Sequence, residues 1–438
     1  LIELLQDREA NRDHILELLR DQHPADIAEL MEQLSELNVL YIIQQLDYPT
    51  LGAVFSEFDP LFRQEIINQL DDDVVAGIVM ELVSDDAADL LSEIESEERV
   101  YTIIELLPVE DRINITDLMQ HEEDTAGGIM AKEILTAYPN SAVKSVLEKI
   151  RDGQDEIDNI NNVFIVDHTR KLIGLVPLTR LLTSGLRDRM KDIMESDFIS
   201  VNTSTDQEEV AHLVQKYNLL SIPVVDNDGK LAGRITVDDV MDVIQEEANE
   251  DISHMTGTSE EEIYEDSSWR ISRLRLPWLM TALVGELIAA TVISRYEGEI
   301  TQLLALSFFI PIITAMGGNV GMQSAAIVVR GLATGEILMT ETFRRLMVEM
   351  RVALSNGIIL SGALMLIISV WYRDWILCSI VGLGLFVVIV LTTTLGALIP
   401  IALKRIDIDP AIATGPFITT FNDIIGLVVY FTIAKMFL

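Results

Sequence analysis

Five long stretches with almost no charge follow one another after residue 272, and they limit the fold more than any other feature. Residues 300–329, 352–372 and 375–403 contain no Asp, Glu, Lys or Arg; residues 276–294 contain only Glu286, and residues 410–434 only Asp423. About 20 apolar residues suffice for a helix to cross a bilayer, and inside lipid a helix satisfies its own backbone polar groups. Five such runs predict a membrane domain over 269–438 with helices at about 274–295, 300–330, 346–372, 375–403 and 411–436. Basic residues favour cytosolic loops. Arg270, Arg273 and Arg275 flank the first run, Arg330, Arg344, Arg345 and Arg351 follow the second, and Lys404 and Arg405 follow the fourth, while Arg295 and Arg373 stand beside acids. The expected orientation puts everything before the first span in the cytosol and the C-terminus outside the cell membrane.

The charge is as unevenly placed as the hydrophobicity. Of 70 Asp+Glu and 31 Lys+Arg, residues 1–272 hold 60 and 20. Self-repulsion of that size destabilises a compact state unless counterions gather, and phosphate backbones would be repelled, which argues against nucleic acid as a partner. One cysteine, Cys378, and six scattered histidines argue against a disulfide framework or a zinc- or copper-type site. No nucleophile paired with a base, phosphate loop or catalytic metal triad is visible, so the expectation is that the chain is not an enzyme.

Two internal repeats divide the acidic part. In residues 26–108, apolar units begin near Asp26, Asn38, Pro49, Leu61, Asp73, Asp86 and Arg99, and several close on an apolar-acid pair such as Leu46-Asp47, Phe58-Asp59 and Leu70-Asp71. Helices this short do not stand alone and are expected to stack into a superhelix. Further on, VFIVDHTRKLIGLVPLTRLL (163–182) realigns with IPVVDNDGKLAGRITVDDVM (222–241) at an offset of 59 residues, matching Asp167 to Asp226, Lys171 to Lys230 and Gly174 to Gly233. Each copy reads helix, strand, polar turn, strand, helix. This resembles a tandem CBS pair, a regulatory module. In such pairs a Gly-x-x-Thr-x-x-Asp motif holds a nucleotide ribose; the second copy has Gly233, Thr236 and Asp239, whereas the first has Arg180 in place of the aspartate.

Three patterns suggest cation chemistry. The stretch DDVMDVIQEEANED (238–251) places Asp239, Asp242, Glu246 or Glu247, and Glu250 at helical steps of three and four. It reads either as a solvated acidic face or as carboxylates that a hard divalent cation would relieve. Asp423, alone in its span, reads as an ion-pathway group or as a neutral, hydrogen-bonded side chain between helices; Asn422 and Thr419 sit nearby. The second span carries Gly317, Gly318 and Asn319, which serve close helix packing or expose carbonyls to a pore. Glu286 is a further acid within a span, and the pattern does not decide its role. One carboxylate among neutral donors suits a hydrated hard cation such as magnesium.

The whole chain closely resembles the MgtE family of magnesium channels, through EEDTAGGIM (122–130), TDQEEV (205–210), PVVDNDGKLAGRITVDDVMDVI (223–244), GGNVGMQSA (317–325) and DPAIATGPFITTFNDIIG (409–426). The resemblance implies a homodimer in the lipid bilayer with an acidic helical N domain (1–122), CBS copies at 123–195 and 196–245, a connecting plug helix (238–268) and the five-helix membrane domain. It implies a pore carboxylate at Asp423 and an entry acid at Asp409. It implies magnesium-sensing groups at Asp85, Asp89, Gly128, Asp206, Glu208, Asp239, Asp242, Glu247, Glu250 and Asp251, and a pore lined by Asn422, Thr419, Gly317, Gly318 and Asn319. ATP at the CBS pair is a further expectation. Asn218 stands where a sensing aspartate is expected. The implied function is a magnesium channel that closes when cytosolic magnesium is high. A proton- or sodium-coupled transporter using Asp423 and Glu286, and a membrane-anchored CBS sensor without transport, are the rival readings.

Overall fold

Short helices, their starts spaced by twelve or thirteen residues, fill the first part of the chain: α1 (Arg12–Arg20), α2 (Pro24–Glu32), α3 (Glu36–Ile43), α4 (Tyr48–Ser56), α5 (Pro60–Ile67), α6 (Asp72–Val79), α7 (Ser84–Ser92), α8 (Glu97–Leu106) and α9 (Val109–Leu118). The computed structural model describes residues 12–20, 22–152, 160–258, 262, 267–333, 337, 342–406, 408–411 and 415–438. Residues 1–11 of the expected N domain and 259–261 and 263–266 of the expected plug segment lie outside them. The acids that close each repeat unit start the next helix: Asp47 accepts from the Thr50 amide and Asp59 from the Leu61 amide, satisfying donors that the first turn leaves open. Pro24 and Pro60 open their helices, where the missing N–H costs nothing. Alternate helices pack on one another, α2 on α4, α4 on α6, α6 on α8 and α7 on α9, which is the expected superhelix. Met31, Val54, Phe55, Ile66, Ile78, Leu90 and Ile103 form its dry interior.

The second repeat folds into two matching three-stranded sheets. β1 (Thr136–Ala137) runs parallel to β2 (Asn162–Val166), which pairs antiparallel with β3 (Leu172–Pro177); β4 (Val201–Asn202), β5 (Ser221–Val225) and β6 (Leu231–Thr236) repeat the order. The registers coincide at the 59-residue offset: Phe164 faces Leu175 as Pro223 faces Arg234. The two turns also bond reciprocally, Leu172 N to Gly229 O at 3.1 Å and Leu231 N to Arg170 O at 3.0 Å, the signature of a local two-fold. Helices α10 (Val143–Asp152), α11 (Leu178–Thr183), α12 (Met190–Ile193) and α13 (Gln207–Tyr217) cover the sheets. Asn218 ends α13 in the left-handed region at φ 51°, where Asn is better tolerated than most residues. Arg180 is ion-paired to Glu195 at 2.9 Å. The chain then enters α14 (Val237–Thr256), which stops where Gly257, at φ 70°, lets its amide and that of Thr258 bond the Ser253 carbonyl.

Residues up to Ile244 form one compact unit and Gln245–Leu438 a second. In the second, α15 (Ser268–Arg295), α17 (Ile310–Ala333), α18 (Thr342–Trp371), α19 (Trp375–Lys404) and α20 (Gly415–Phe437) are the five long helices, with the short α16 (Glu297–Gln302) and a 3-10 turn at Leu304–Phe309 after the first. All five are long and apolar enough to cross a membrane. In α19, 61% of the most apolar window is buried, against 11% in α15, so α19 is the hub and α15 the outer helix. α19 packs on α17, α18 and α20, and α15 packs on α20. Trp371 and Trp375, both highly exposed, flank the turn between α18 and α19, where aromatic side chains anchor a membrane interface.

Candidate functional site

The membrane unit gathers its polar side chains where α17, α19 and α20 meet. Gly318 on α17 has no side chain, and its open position lies 3.8 Å from Asp423 Oδ1 and 3.8 Å from Thr419 Cγ2 on α20. Asp423 is half-buried, and Glu286 on α15 is within electrostatic reach of it. Asn319, one residue beyond Gly318, is exposed on the outside of the protomer, as is Gln323 one turn later. Gly317 faces Val388 on α19 instead, at 3.0 Å from its open position. Asn422 is 1% exposed and sits inside the bundle against Gly321. The expected pore-lining residues are therefore divided three ways, with Asn319 on the outer surface. Gly318, Thr419 and Asp423 share one seam, while Gly317 and Asn422 point into the helix packing. Asp409 is exposed and accepts a hydrogen bond from the Ala411 amide at 2.9 Å. A buried cluster that the apolar pattern did not flag ties α17 to α18: Glu349 bonds Ser324 Oγ at 2.9 Å and Arg345 at 2.5 Å.

In the first unit, α7 brings the N-domain acids against the start of α14. Asp85 is buried, its Oδ1 has no hydrogen-bond partner among the described residues, and its carboxyl is held well above the usual range by burial and then by Asp239, Asp86 and Glu133. Asp86 is pushed up to about 6 by burial and then by Asp239. Asp89 keeps an exposed edge and is raised to about 7, mainly by burial, with Arg63 pulling the other way. Asp239 and Asp242 are both raised, again mainly by burial, and Asp242 also by Asp239 and Glu57. Sequence reasoning picked out Asp85 and Asp89 and missed Asp86, although the SDDAADLL stretch places it beside them. It also missed Arg63, a buried cation that bonds Glu93 through Nε at 3.0 Å. A lone arginine in the apolar run PLFRQEII was the available signal. α7 is also bonded to the segment between α9 and β1, with Ser84 Oγ donating to Glu133 Oε2 at 2.9 Å and accepting from the Lys132 amide at 2.8 Å. A buried carboxylate oxygen without a donor among like charges has the chemistry of a cation ligand. Among the described residues, no three Asp, Glu, His or Cys side chains converge closely enough to hold a metal directly.

The remaining expected sensing residues are placed as follows. The Gly128 loop is pinned to the turn before Asp206, with Ala126 N to Thr205 O at 2.7 Å and Gly127 N to Thr203 O at 2.8 Å. A Cβ on Gly128 would sit 2.6 Å from the Glu122 carbonyl oxygen. Asp206 caps α13, accepting from the Glu208 amide at 2.8 Å. Glu247, Glu250 and Asp251 lie on the later turns of α14, where Glu250 contacts His254 Nε2 at 3.1 Å. In the Gly-x-x-Thr-x-x-Asp stretch, Asp239 Oδ2 accepts from both the Thr236 amide, at 2.8 Å, and Thr236 Oγ1, at 2.6 Å. A Cβ on Gly233 would meet Met130 Sδ at 2.6 Å.

Residues 310–433 match the family described as MgtE, divalent cation transporter; residues 22–124 match the MgtE intracellular N domain, and 126–186 and 190–246 each match a CBS domain. A magnesium transporter MgtE from Thermus thermophilus is 30% identical over 437 residues, covering 98% of this chain and 96% of the relative. One from Enterococcus faecalis is 35% identical over 329 residues, 75% of this chain and 72% of the relative. The chain belongs to the MgtE family of magnesium transporters. Among solved structures, the cytosolic domain of the Mg2+ channel MgtE in complex with ATP superposes with a TM-score of 0.53 at 32% identity, over 56% of this chain and 98% of that one. The soluble part of a magnesium transporter does so with a TM-score of 0.52 at 28% identity, over 56% and 96%. MgtE membership and the five apolar helices make this a multi-pass membrane protein whose transported substrate is magnesium.

Proposed function

We propose that the protein is a magnesium-selective channel of the plasma membrane that acidic cytosolic domains close when internal magnesium is high. It works as a homodimer with its C-terminus outside. The carrying observation is the seam at Gly318, Thr419 and Asp423, a half-buried carboxylate beside a helix surface stripped of side chains. A charge at that depth costs about 3 kcal/mol or more without a wet passage or a partner. Asn319, polar and turned outward from the protomer, is accounted for if a second copy supplies the opposite wall. Magnesium keeps several of its waters, so one carboxylate and nearby carbonyls contact the hydrated ion. Asp409 serves as an exposed entry acid.

The gate is electrostatic. Asp85 and Asp89 on the N domain, Gly128, Asp206 and Glu208, and Asp239, Asp242, Glu247, Glu250 and Asp251 on α14 are the groups that would hold sensing magnesium. The ion supplies positive charge between carboxylates that otherwise repel. A switch from 1:99 to 99:1 needs about 5.5 kcal/mol of differential binding, which several weak sites supply together. The test uses protein reconstituted in vesicles. Magnesium flux is expected to fall steadily as magnesium on the soluble-domain side rises from zero to tens of millimolar, about the range of loosely held hard-cation sites. Constant flux across that range overturns the gate. Flux that stops when proton and sodium gradients are removed supports the coupled transporter instead, in which Glu286 is the second relay acid.

ATP is the proposed ligand of the CBS pair, through Gly233, Thr236 and Asp239, supported by the likeness to the ATP-bound cytosolic domain. Replacing Asp239 with Asn should weaken ATP binding about tenfold, the scale of one charge-assisted hydrogen bond. Unchanged affinity by calorimetry removes this assignment.

A further inference from the structure

We propose that Asn422 is a positioning residue for Asp423: its buried amide, seated in the notch left by Gly321, sets the rotation of α20 and so the direction in which the next carboxylate points. The inference rests on the reading of Asp423 as the pathway carboxylate. Asn422 is 1% exposed, and among the described residues its Nδ2 has no hydrogen-bond partner. An apolar side chain would fill an interior position at lower cost, since a buried donor without a partner is unfavourable. The amide occupies the space where a Cβ on Gly321 would stand. α17 has no room to withdraw, because a Cβ on Gly396 of α19 would in turn overlap the Gly321 carbonyl. Two more glycine notches clamp α20, one at Gly285 on α15 against Thr420 and one at Gly384 on α19, whose open position lies 2.8 Å from Tyr430 Cδ2.

A helix held at three points cannot turn about its axis without a clash. Successive residues are rotated by about 100°, so fixing Asn422 toward Gly321 fixes Asp423 toward the Gly318 seam. Rotation by even part of a turn would carry the carboxylate into lipid or into the bundle. This also explains why two adjacent polar residues in one span have different surroundings, Asn422 dry and Asp423 half-open.

The test is a size swap in the full-length, reconstituted protein. Gly321→Ala puts a methyl group onto the Asn422 amide and should lower magnesium flux about tenfold and raise the half-saturating magnesium concentration, the scale of one overpacked contact. Asn422→Ala alone leaves the notch empty and should also raise the half-saturating concentration. The double variant restores both readings to within about threefold of the original, because the new methyl takes the volume the amide vacates and its next neighbour, the Thr392 carbonyl, is at 3.4 Å. Alanine favours a helix more than glycine does, so recovery of thermal stability in the double variant is a second readout if the single ones fold poorly. A double variant no better than Gly321→Ala overturns the inference. So does a change confined to the amount of folded protein, with an unchanged half-saturating concentration per folded molecule. Asp423→Asn, run in parallel, separates the two ideas: retained flux there defeats the pathway reading, whereas lost flux with no size-swap rescue defeats this one alone.

Discussion

Replacing Asp423 with Asn is expected to reduce magnesium flux about a hundredfold or more, because a unit charge near a divalent ion in a medium of intermediate dielectric is worth several kcal/mol. Asn keeps the size and a carbonyl oxygen, so only the charge is removed. Stability should move the other way. An intramembrane carboxylate costs about 3 kcal/mol to hold in place, and the neutral amide relieves that cost. A variant that is dead in flux but melts no lower than the original therefore separates a pathway role from a packing role. Vesicle flux with a magnesium indicator, together with a thermal melt of the purified protein, gives both numbers. Near-normal flux would mean that the half-buried carboxylate beside Gly318 is a structural group, and the proposed passage along α17 and α20 would go with it.

Much of this architecture is written in the sequence because period and polarity carry it. The twelve-residue beat becomes α2 to α8, and the 59-residue offset becomes two sheets in the same register. The five nearly charge-free runs become five long helices. What the sequence conveyed poorly was the direction of individual side chains. Asn422 and Asp423 are neighbours in the chain, yet one is sealed against Gly321 and the other lies half-open beside Gly318. Gly317 and Gly318 likewise face α19 and α20 respectively. Those directions depend on which helices flank a span, and a single sequence holds no record of partner faces. Asp86 escaped notice for a related reason. Its environment comes from Asp239 and Asp242, more than 150 residues away in the chain, and only the docking of α7 on α14 brings the three together. The buried link from Glu349 to Ser324 and Arg345 was hidden because a charge near the end of a predicted span reads as a loop residue.

Acidification without any metal should tighten the soluble unit, an effect opposite to ordinary acid unfolding. Asp86 rises from 3.8 to about 6, with burial as the main cause and Asp239 next, and Asp85, Asp239 and Asp242 move in the same direction. A carboxyl whose value is higher in the docked state binds its proton more tightly there. Its destabilisation is fully present at pH 8 and is relieved as pH falls through about 6, until well below the ordinary value of 3.8 both states are protonated. Asp47, Asp167 and Asp228 have the opposite sign, held low chiefly by hydrogen bonds from Thr50, Thr169 and Lys230, and their contribution is lost only near or below the ordinary value of 3.8. The window from pH 8 to 5.5 therefore lies above the range in which these three groups act and spans the raised carboxyls, Asp89 at about 7 included. In chelator, the melting temperature of the soluble unit within the full-length protein should rise by about 2–4 °C across that window, the equivalent of about 1 kcal/mol for a unit of this size. Protease resistance of the N domain should rise with it. Added magnesium at pH 8 should have the same effect as acid, since proton and cation relieve the same repulsion. The double variant Asp85→Asn, Asp86→Asn should be more resistant at pH 8 and respond weakly to either. A melting temperature that falls steadily from pH 8 to 5.5 in the unaltered protein would show that these carboxylates do not oppose docking, and the electrostatic gate would lose its physical basis.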